Sequence, residues 1–293
     1  MAGLKEIRTR IASIKTTRQV TSAMKMVSAA KLKKAQDAIL QIRPYADKLH
    51  QILVSISESL RENPGESVYT ADRVPEKVLI VLISSNRGLC GAFNANIAKK
   101  AIELVKVKYN LQHEAGNVDF LCIGKQAEKH VKMKGMKIVE SHHELLDHLN
   151  SASVYGMAES VMTRFISREY DRIELVYNQF LNAAAQLNTA EQFLPVKMEQ
   201  EDKNIRFYDY IYEPSREYIV NELIPKSLKI QFYKAILDSN AAEHGARMTA
   251  MHQATDNATE LLKDLTLQYN KVRQASITRE ILEIVSGAEA LKG

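Results

Sequence analysis

The chain has 293 residues, 45% of them hydrophobic, and a formal net charge of +5. This length allows one or two domains with a sizeable core, and abundant alanine, lysine, glutamate and glutamine suit long helices. No run approaches the ~20 apolar residues of a membrane-spanning helix, and the polar first residues do not resemble a signal peptide, so any membrane association is expected to be peripheral.

Positive charge is concentrated at the start of the chain. The first 34 residues hold nine lysines and arginines against the single acid Glu6, which gives this segment about +8 (9 − 1) and the remainder about −3 (5 − 8). A basic helix predicts an acidic partner, which could be nucleic acid, an anionic membrane surface or an acidic protein patch. A solvated basic face is the alternative.

The same segment predicts a long helix with a narrow apolar seam. The seam consists of Leu4, Ile7, Ile11 and Ile14, then, after a shift in phase, Val20, Met24 and Val27, followed by Ala35, Ile39, Ile42, Leu49, Ile52, Leu53, Ile56 and Leu60. Pro44 is expected to kink or break the helix, because proline lacks the N–H that a helix interior needs. Asn63-Pro64-Gly65 is expected to end it.

The middle of the chain, about residues 73–213, alternates short apolar runs with helical stretches. It predicts strands at 78–83, 118–123, 137–139, 173–180 and 205–212, and helices at 94–109, 125–134 and 152–168. Asn94 is a candidate N-terminal cap for the first of these helices. Strand alternating with helix predicts an open, largely parallel, Rossmann-like α/β sheet with helices on its faces.

A second long helix is predicted from about Pro225 to the end. Its apolar seam comprises Leu228, Phe232, Ile236, Met248, Met251, Ala254, Ala258, Leu261, Leu265, Tyr269 and Val272. So thin a stripe cannot be buried without a partner helix. Gly245 costs ~1 kcal/mol relative to alanine inside a helix, which predicts either the close approach of another backbone or simply a weak point in the helix. We therefore expect an antiparallel coiled coil of the two end helices, with segments 1–62, 73–213 and 214–293.

The turn after the first predicted strand is the strongest catalytic candidate. A glycine turn between strand and helix can bind phosphate through backbone N–H groups. However, the spacing is Gly88-x-x-Gly91 alone, with neither Gly-Lys-Ser/Thr nor Gly-x-Gly-x-x-Gly. The competing interpretation is a tight turn that shapes a docking surface.

Other chemistry-bearing residues have structural interpretations. His142, His143 and His148 lack a recognised metal-ligand spacing and predict a solvated loop. Cys90 and Cys122 predict buried free thiols in a reducing compartment. The tyrosine-rich stretch 207–213 predicts a sheet edge or docking patch. The sequence thus predicts no catalytic, cofactor-binding or metal-binding residue.

Several motifs resemble the gamma subunit of bacterial F-type ATP synthases, the central rotary stalk. They are Ile7-Arg8-x-Arg10-Ile11-x-Ser13-Ile14-Lys15, Thr21-x-Ala23-Met24-x-Met26-Val27, Arg87-Gly88-Leu89-Cys90-Gly91, Glu243-x-Gly245-Ala246-Arg247-Met248-x-Ala250-Met251 and Tyr269-Asn270-Lys271-x-Arg273-Gln274-Ala275. The resemblance implies a coiled-coil shaft inside a hexamer of alpha and beta subunits. It also implies an α/β foot on the proteolipid c ring beside the epsilon subunit, at the cytoplasmic face of a bacterial plasma membrane.

In that family, ion flow turns the ring, and the off-axis shaft changes the state of each beta site while binding no nucleotide itself. The resemblance places Met24 near a beta lever segment and Tyr210 and Glu213 near the ring. It assigns contacts with the surrounding collar to Arg247, Arg273, Gln274, Thr278, Glu280 and Glu283. Relatives often carry Asp at the position of Asn86, which leaves the ion pairing of this turn open.

Two alternatives to the rotary stalk remain at this point. A basic coiled-coil arm could bind RNA, although the C-terminal helix is near neutral. A nucleotide-dependent enzyme could use the turn at Gly88, although no phosphate-binding lysine follows it.

Overall fold

The computed structural model describes residues 3–60, 68–70, 73–147, 149–196, 213 and 216–290. The helices are α1 (Leu4–Leu60), α2 (Phe93–Lys108), α3 (Asn110–Glu114), α4 (Lys125–Met133), α5 (Ser151–Ile166) and α6 (Arg216–Ala290); Glu144–Leu146 is a 3-10 turn. The strands are β1 (Val78–Ile83), β2 (Val118–Ile123), β3 (Lys137–His142), β4 (Arg172–Phe180) and β5 (Gln186–Leu194).

The chain divides into two compact units. Unit 1 comprises Met1–Ser28 and Met248–Gly293, and unit 2 comprises Ala29–Arg247. Both long helices therefore contribute to both units. The predicted segments 1–62, 73–213 and 214–293 follow the chain rather than these units, and their boundaries stay a prediction.

Unit 2 is built on a five-stranded sheet in the order β3-β2-β1-β4-β5. β1 pairs in parallel with β2 and β4, β2 pairs in parallel with β3, and β5 is antiparallel to β4. This confirms the predicted open, largely parallel sheet. All six residues of β1 are buried, because a central parallel strand is covered on both faces. Leu79, Val81 and Ile83 pack toward α5 and α6, whereas the alternate residues pack toward α2 and α4.

Three local predictions in unit 2 were wrong, and one lies outside the described residues. β5 was missed because its half-buried sequence mixes polar and apolar side chains, as an edge strand can. β3 is longer than residues 137–139, so His142 ends a strand rather than lying in a loop. Asn94 does not cap α2, since the helix starts at Phe93 and the Asn94 side chain is buried behind the turn. The strand predicted at 205–212 falls outside the described part of the chain.

Unit 1 is an antiparallel coiled coil, since the chain leaves it at Ser28 and returns at Met248. Its seam differs from the prediction. Val20 and Val27 are 53% and 57% exposed, and the polar residues Thr21 and Ser28 are buried in their place, so the heptad continues without a shift in phase. On α6 the buried seam residues are Met251, Ala258 and Leu265; between them Leu261 is 45% exposed while its neighbour Leu262 is half-buried.

The two prolines do not end the long helices. α1 continues through Pro44, and α6 starts at Arg216 and passes through Pro225. In both cases buried side chains nearby, including Ile39 and Ile224, pack the helix into unit 2 and offset the lost backbone hydrogen bond. The predicted close approach at Gly245 is confirmed: a methyl group on its Cα would lie 3.1 Å from the carbonyl oxygen of Ala183, in the β4–β5 turn.

Candidate interaction surfaces

The turn after β1 leads into α2, and it is joined by hydrogen bonds to the start of α4, the helix that follows β2. At the start of α4, the backbone N–H of Lys125 donates to Asn86 Oδ1 (3.2 Å) and that of Ala127 to Ser84 Oγ (2.6 Å). The N–H of Gln126 donates to the carbonyl of Ser85 (3.1 Å). Phosphate binding at a helix start needs free N–H groups, so this end of α4 serves to hold the turn. The competing interpretation, a structural turn that shapes a surface, fits the geometry.

The side chain of Asn86 makes neutral hydrogen bonds, rather than an ion pair, in the turn after β1. Its side-chain amide donates to the carbonyl of His143 (2.8 Å) while its Oδ1 accepts from Lys125. An aspartate at this position could accept from Lys125 but could not donate to His143. The asparagine therefore links the ends of β1 and β3 through neutral hydrogen bonds.

A buried ionic cluster on α6 fixes the same turn from the other side. Arg247 is 8% exposed, and its Nη1 donates to Glu243 Oε1 (2.7 Å). Its Nη2 donates to the carbonyls of Arg87 (3.1 Å) and Gly88 (3.3 Å). One guanidinium thus satisfies a carboxylate and two loop carbonyls, which suits its planar set of five donors.

Burial dominates the titration of this cluster. Desolvation raises the pKa of Glu243 above its usual range, and the Arg247 guanidinium partly opposes this rise. Burial, with the charges of Arg247 and Lys31, lowers the pKa of His244 to about 4, so this histidine is neutral at pH 7. The cluster at neutral pH therefore contains one buried cation facing one carboxyl group and a neutral imidazole.

The turn held by Arg247 presents an apolar residue to solvent. Leu89 has φ +62°, a left-handed conformation that costs free energy for a residue with a Cβ, and its side chain is 64% exposed. The Ser85 hydroxyl donates to the carbonyl of Arg87 (2.6 Å), which adds a further restraint. A strained backbone that displays leucine in water is a candidate contact surface for a partner.

The remaining reactive groups are internally paired or buried. Cys90 and Cys122 are both free and buried, as predicted; burial raises the pKa of both thiols, that of Cys122 to about 12. His143 Nε2 lies 2.7 Å from Glu128 Oε2, and His142 Nε2 lies 3.0 Å from Glu140 Oε2. Among the described residues, no group of three His, Cys, Asp or Glu side chains could hold a metal ion. His148 lies outside them.

The outer face of α1 in unit 1 combines exposed apolar and basic side chains. Val20, Met26 and Val27 are 53%, 66% and 57% exposed, and Arg8, Arg10 and Lys15 are exposed on the same helix. Met24 is half-buried beside them. The apolar pattern predicts Val20 and Val27 in the seam, but both side chains are exposed in the structure. The signal for this was the unbroken heptad spacing of Ile14, Thr21 and Ser28.

The end of α6 is exposed on all sides over residues 277–289. The residues assigned to collar contacts there, Arg273, Gln274, Thr278, Glu280 and Glu283, are all exposed, as is Glu213, while Tyr210 lies outside the described residues. Arg247 is instead buried in unit 2. The same helix end also carries an apolar set that was not among the predicted contacts: Ile277, Ile281, Leu282, Ile284 and Val285 are 43–71% exposed.

These features define a class of protein: a two-helix coiled coil with a Rossmann-like domain inserted between the helices, whose accessible surfaces suit protein partners. In the described part of the chain, no helix has the length and apolar character to cross a bilayer.

A family model described as ATP synthase matches residues 3–291. The chain is 55% identical to the ATP synthase gamma chain of Flavobacterium johnsoniae over 294 aligned residues, and 52% identical to that of Cytophaga hutchinsonii, each alignment covering 99–100% of both chains. The chain therefore belongs to the family of bacterial ATP synthase gamma chains.

Solved structures agree on the fold. A chain of the Euglena gracilis mitochondrial ATP synthase, solved as OSCP/F1/c-ring in rotational state 3, aligns with a TM-score of 0.71 at 20% identity and covers 98% of this chain and 94% of its own. A chain from the central stalk and c-ring of the Tetrahymena thermophila mitochondrial enzyme aligns with a TM-score of 0.57 at 23% identity, covering 80% of this chain and 99% of its own.

Proposed function

We propose that this chain is the central shaft of an F-type ATP synthase, which couples ion-driven rotation of a membrane ring to conformational changes at the catalytic beta subunits. It is not itself catalytic. The observation that carries the proposal is the end of α6, where five large apolar side chains lie exposed on an uncovered helix. An apolar helix end of this kind is stabilised when a surrounding protein covers it. A collar formed by alpha and beta subunits would do so.

Coupling requires that the shaft contact each beta subunit differently. A helix pair has different side chains on each side, so the three beta subunits around it meet different surfaces at any moment. Each contact stabilises one conformation of a catalytic site over another by its own amount, and rotation passes these contacts from site to site. The proposed polar contacts at the helix end are Arg273, Gln274, Thr278, Glu280 and Glu283. Polar contacts are directional, so they can distinguish the rotational orientations of the shaft inside the collar better than an apolar surface alone.

The outer face of α1 is proposed to meet an acidic segment of beta. Exposed Arg8, Arg10 and Lys15 supply positive charge, and Val20 and Val27 supply apolar area that a partner helix could cover. Met24 belongs to this surface. The turn displaying Leu89 is proposed as a second contact, with Arg247 acting through the carbonyls that it holds rather than by touching the partner.

Unit 2 is proposed as the foot that carries the shaft on the c ring, with epsilon beside it. Glu213 is exposed and Tyr210 precedes it in sequence, and both are proposed ring contacts. This arrangement places the chain peripherally at the cytoplasmic face of the bacterial plasma membrane.

Assembly tests the proposal. The chain would be tagged and recovered from gently solubilised host membranes, and the eluate weighed by native mass spectrometry and assayed for MgATP hydrolysis. We expect one copy with three copies each of two larger subunits, together with epsilon and ring subunits, and hydrolysis in the same fraction. Recovery of the chain alone or with RNA would refute the proposal. A variant lacking Thr278–Gly293 should recover less of the two larger subunits while retaining the ring.

A further inference from the structure

The seam of the coiled coil in unit 1 changes character along α1. Ile7, Ile11 and Ile14 are at least partly buried at its start, whereas Thr21 (9% exposed) and Ser28 (3% exposed) occupy the equivalent positions one and two heptads after Ile14. A hydroxyl in a helix seam forgoes the apolar burial that isoleucine would supply there. A polar seam position in a coiled coil is known to select register and partner at a cost in stability.

The buried hydroxyl of Thr21 has a partner on the opposite helix. Thr21 Oγ1 lies 2.8 Å from Thr255 Oγ1, and either oxygen can be the donor. Each hydroxyl also has an acceptor on its own helix: the carbonyl of Arg18 lies 3.1 Å from Thr21 Oγ1, and that of Met251 lies 2.7 Å from Thr255 Oγ1. Whichever threonine donates across the seam, the other can donate to its own backbone, so both hydroxyl protons are used.

Next to this pair the seam offers little to distinguish one alignment from another, because the large buried seam residues Ile7 and Leu265 lie ten or more residues away from it. The neighbours on α6 are Met251, Ala254 and Ala258, which are small or flexible and can pack against a shifted helix with modest loss. In a shifted alignment, each threonine would retain only the bond to its own helix, and its remaining lone pairs would face apolar groups. The threonine pair is therefore satisfied across the seam in one alignment.

We propose that the Thr21–Thr255 pair sets the axial register of the coiled coil. One consequence rests on the proposed function as a shaft: the register fixes the distance along the axis between the apolar-basic face of α1 and the exposed end of α6. Those two surfaces would meet different heights of the same surrounding subunits. The register itself is a property of the full chain and can be measured without any partner.

Spin-label distances test the register. Labels at the exposed residues Thr9 and Gln253 would be introduced in the full chain with Cys90→Ser and Cys122→Ala. Thr9 lies twelve residues before Thr21 and Gln253 two residues before Thr255, and in antiparallel helices these offsets add to fourteen residues, or roughly 21 Å along the axis. The unaltered pair should give a single narrow distance. Thr21→Val with Thr255→Val, which keeps the shape and removes both hydroxyls, should broaden the distribution at least about twofold and shift its mean.

Two further variants separate register from general stability. Thr21→Ser with Thr255→Ser keeps the hydroxyls and should restore the single distance. Thr17→Val with Thr259→Val removes two hydroxyls that bond only to their own helices, at Ser13 and Thr255, and should leave the distance unchanged. A single unshifted distance in the Thr21→Val, Thr255→Val chain would overturn the proposal, as would equal broadening in the Thr17→Val, Thr259→Val control.

Discussion

Replacing Arg247 by methionine should destabilise unit 2 by about 3–5 kcal/mol at pH 7, the usual cost of removing one partner from a buried ion pair. Methionine fills much of the volume but leaves Glu243, which is 8% exposed, without its cation. The carboxyl group must then remain charged without a partner or take up a proton, and both cost free energy at neutral pH. The carbonyls of Arg87 and Gly88 lose their donor as well.

The loss should become smaller in acid. The pKa of Glu243 is raised by burial, so its folded value lies above the unfolded value of ~4.3, and its contribution to stability falls as pH rises through the folded pKa. Without Arg247 that pKa rises further, so the deficit of the variant opens as pH increases above about 4. His244, whose pKa is lowered to about 4, destabilises the fold as pH falls below 6.5. Arg247 contributes to that lowering, so its removal also reduces the deficit in acid.

Urea unfolding followed by tyrosine fluorescence measures this effect, because Tyr109, Tyr170 and Tyr177 are buried in unit 2. The deficit at pH 4 should be smaller than at pH 7 by at least about 1 kcal/mol. Arg87→Met is the matched control, since that side chain is exposed while its carbonyl remains available, and it should cost under about 0.5 kcal/mol. A loss below about 1 kcal/mol for Arg247→Met at pH 7, or an equal loss at both pH values, would show that Arg247 does not stabilise a buried carboxylate here.

Gly124→Ala should lower the free energy of unfolding by about 2–4 kcal/mol in thermal unfolding, because φ is +102° and the new methyl would lie 2.6 Å from the Ser84 carbonyl oxygen. The control Gly88→Ala, whose methyl meets no atom within 4 Å, should cost under about 1 kcal/mol. Met24→Lys should lower ATP-driven proton pumping by membrane vesicles without lowering the melting temperature, since an added cation at a sliding contact forms unwanted ion pairs; normal pumping would remove this residue from the contact. Deleting Thr278–Gly293 should leave the melting of unit 2 unchanged while reducing torque under load, and full torque would argue against contacts at this helix end.

The buried strands could be predicted from the sequence because their hydrophobic pattern has a single interpretation. β1 and β2 match their predicted bounds, since β1 is a continuous apolar run, β2 is apolar except for Asp119, and both strands are covered on both faces. β5 could not be found in this way, because an edge strand with half-buried side chains lacks a clear period. The helices at the ends were predicted, but their passage through Pro44 and Pro225 depends on tertiary packing that local rules do not include.

The candidate contact residues could be predicted from the sequence only where a recognisable motif contained them. Periodicity assigned Val20 and Val27 to the seam because they are apolar, whereas the structure buries Thr21 and Ser28 there. Thr21 is held by a hydrogen bond to Thr255, 234 positions away. The role of Arg247 was equally hidden, since the carbonyls that it holds lie about 160 residues earlier. Polar contacts between distant segments leave no local period in the sequence.

Rotation of this chain inside the complex can be observed with an attached bead. A bead would be attached through a cysteine introduced at Lys106, which is exposed on α2, in an otherwise intact complex immobilised by its beta subunits. The native thiols are buried and should not compete for the label. We expect MgATP-driven turning in one direction, with as many pauses per turn as there are catalytic sites. A complex that hydrolyses MgATP at full rate while the bead stays fixed would contradict it.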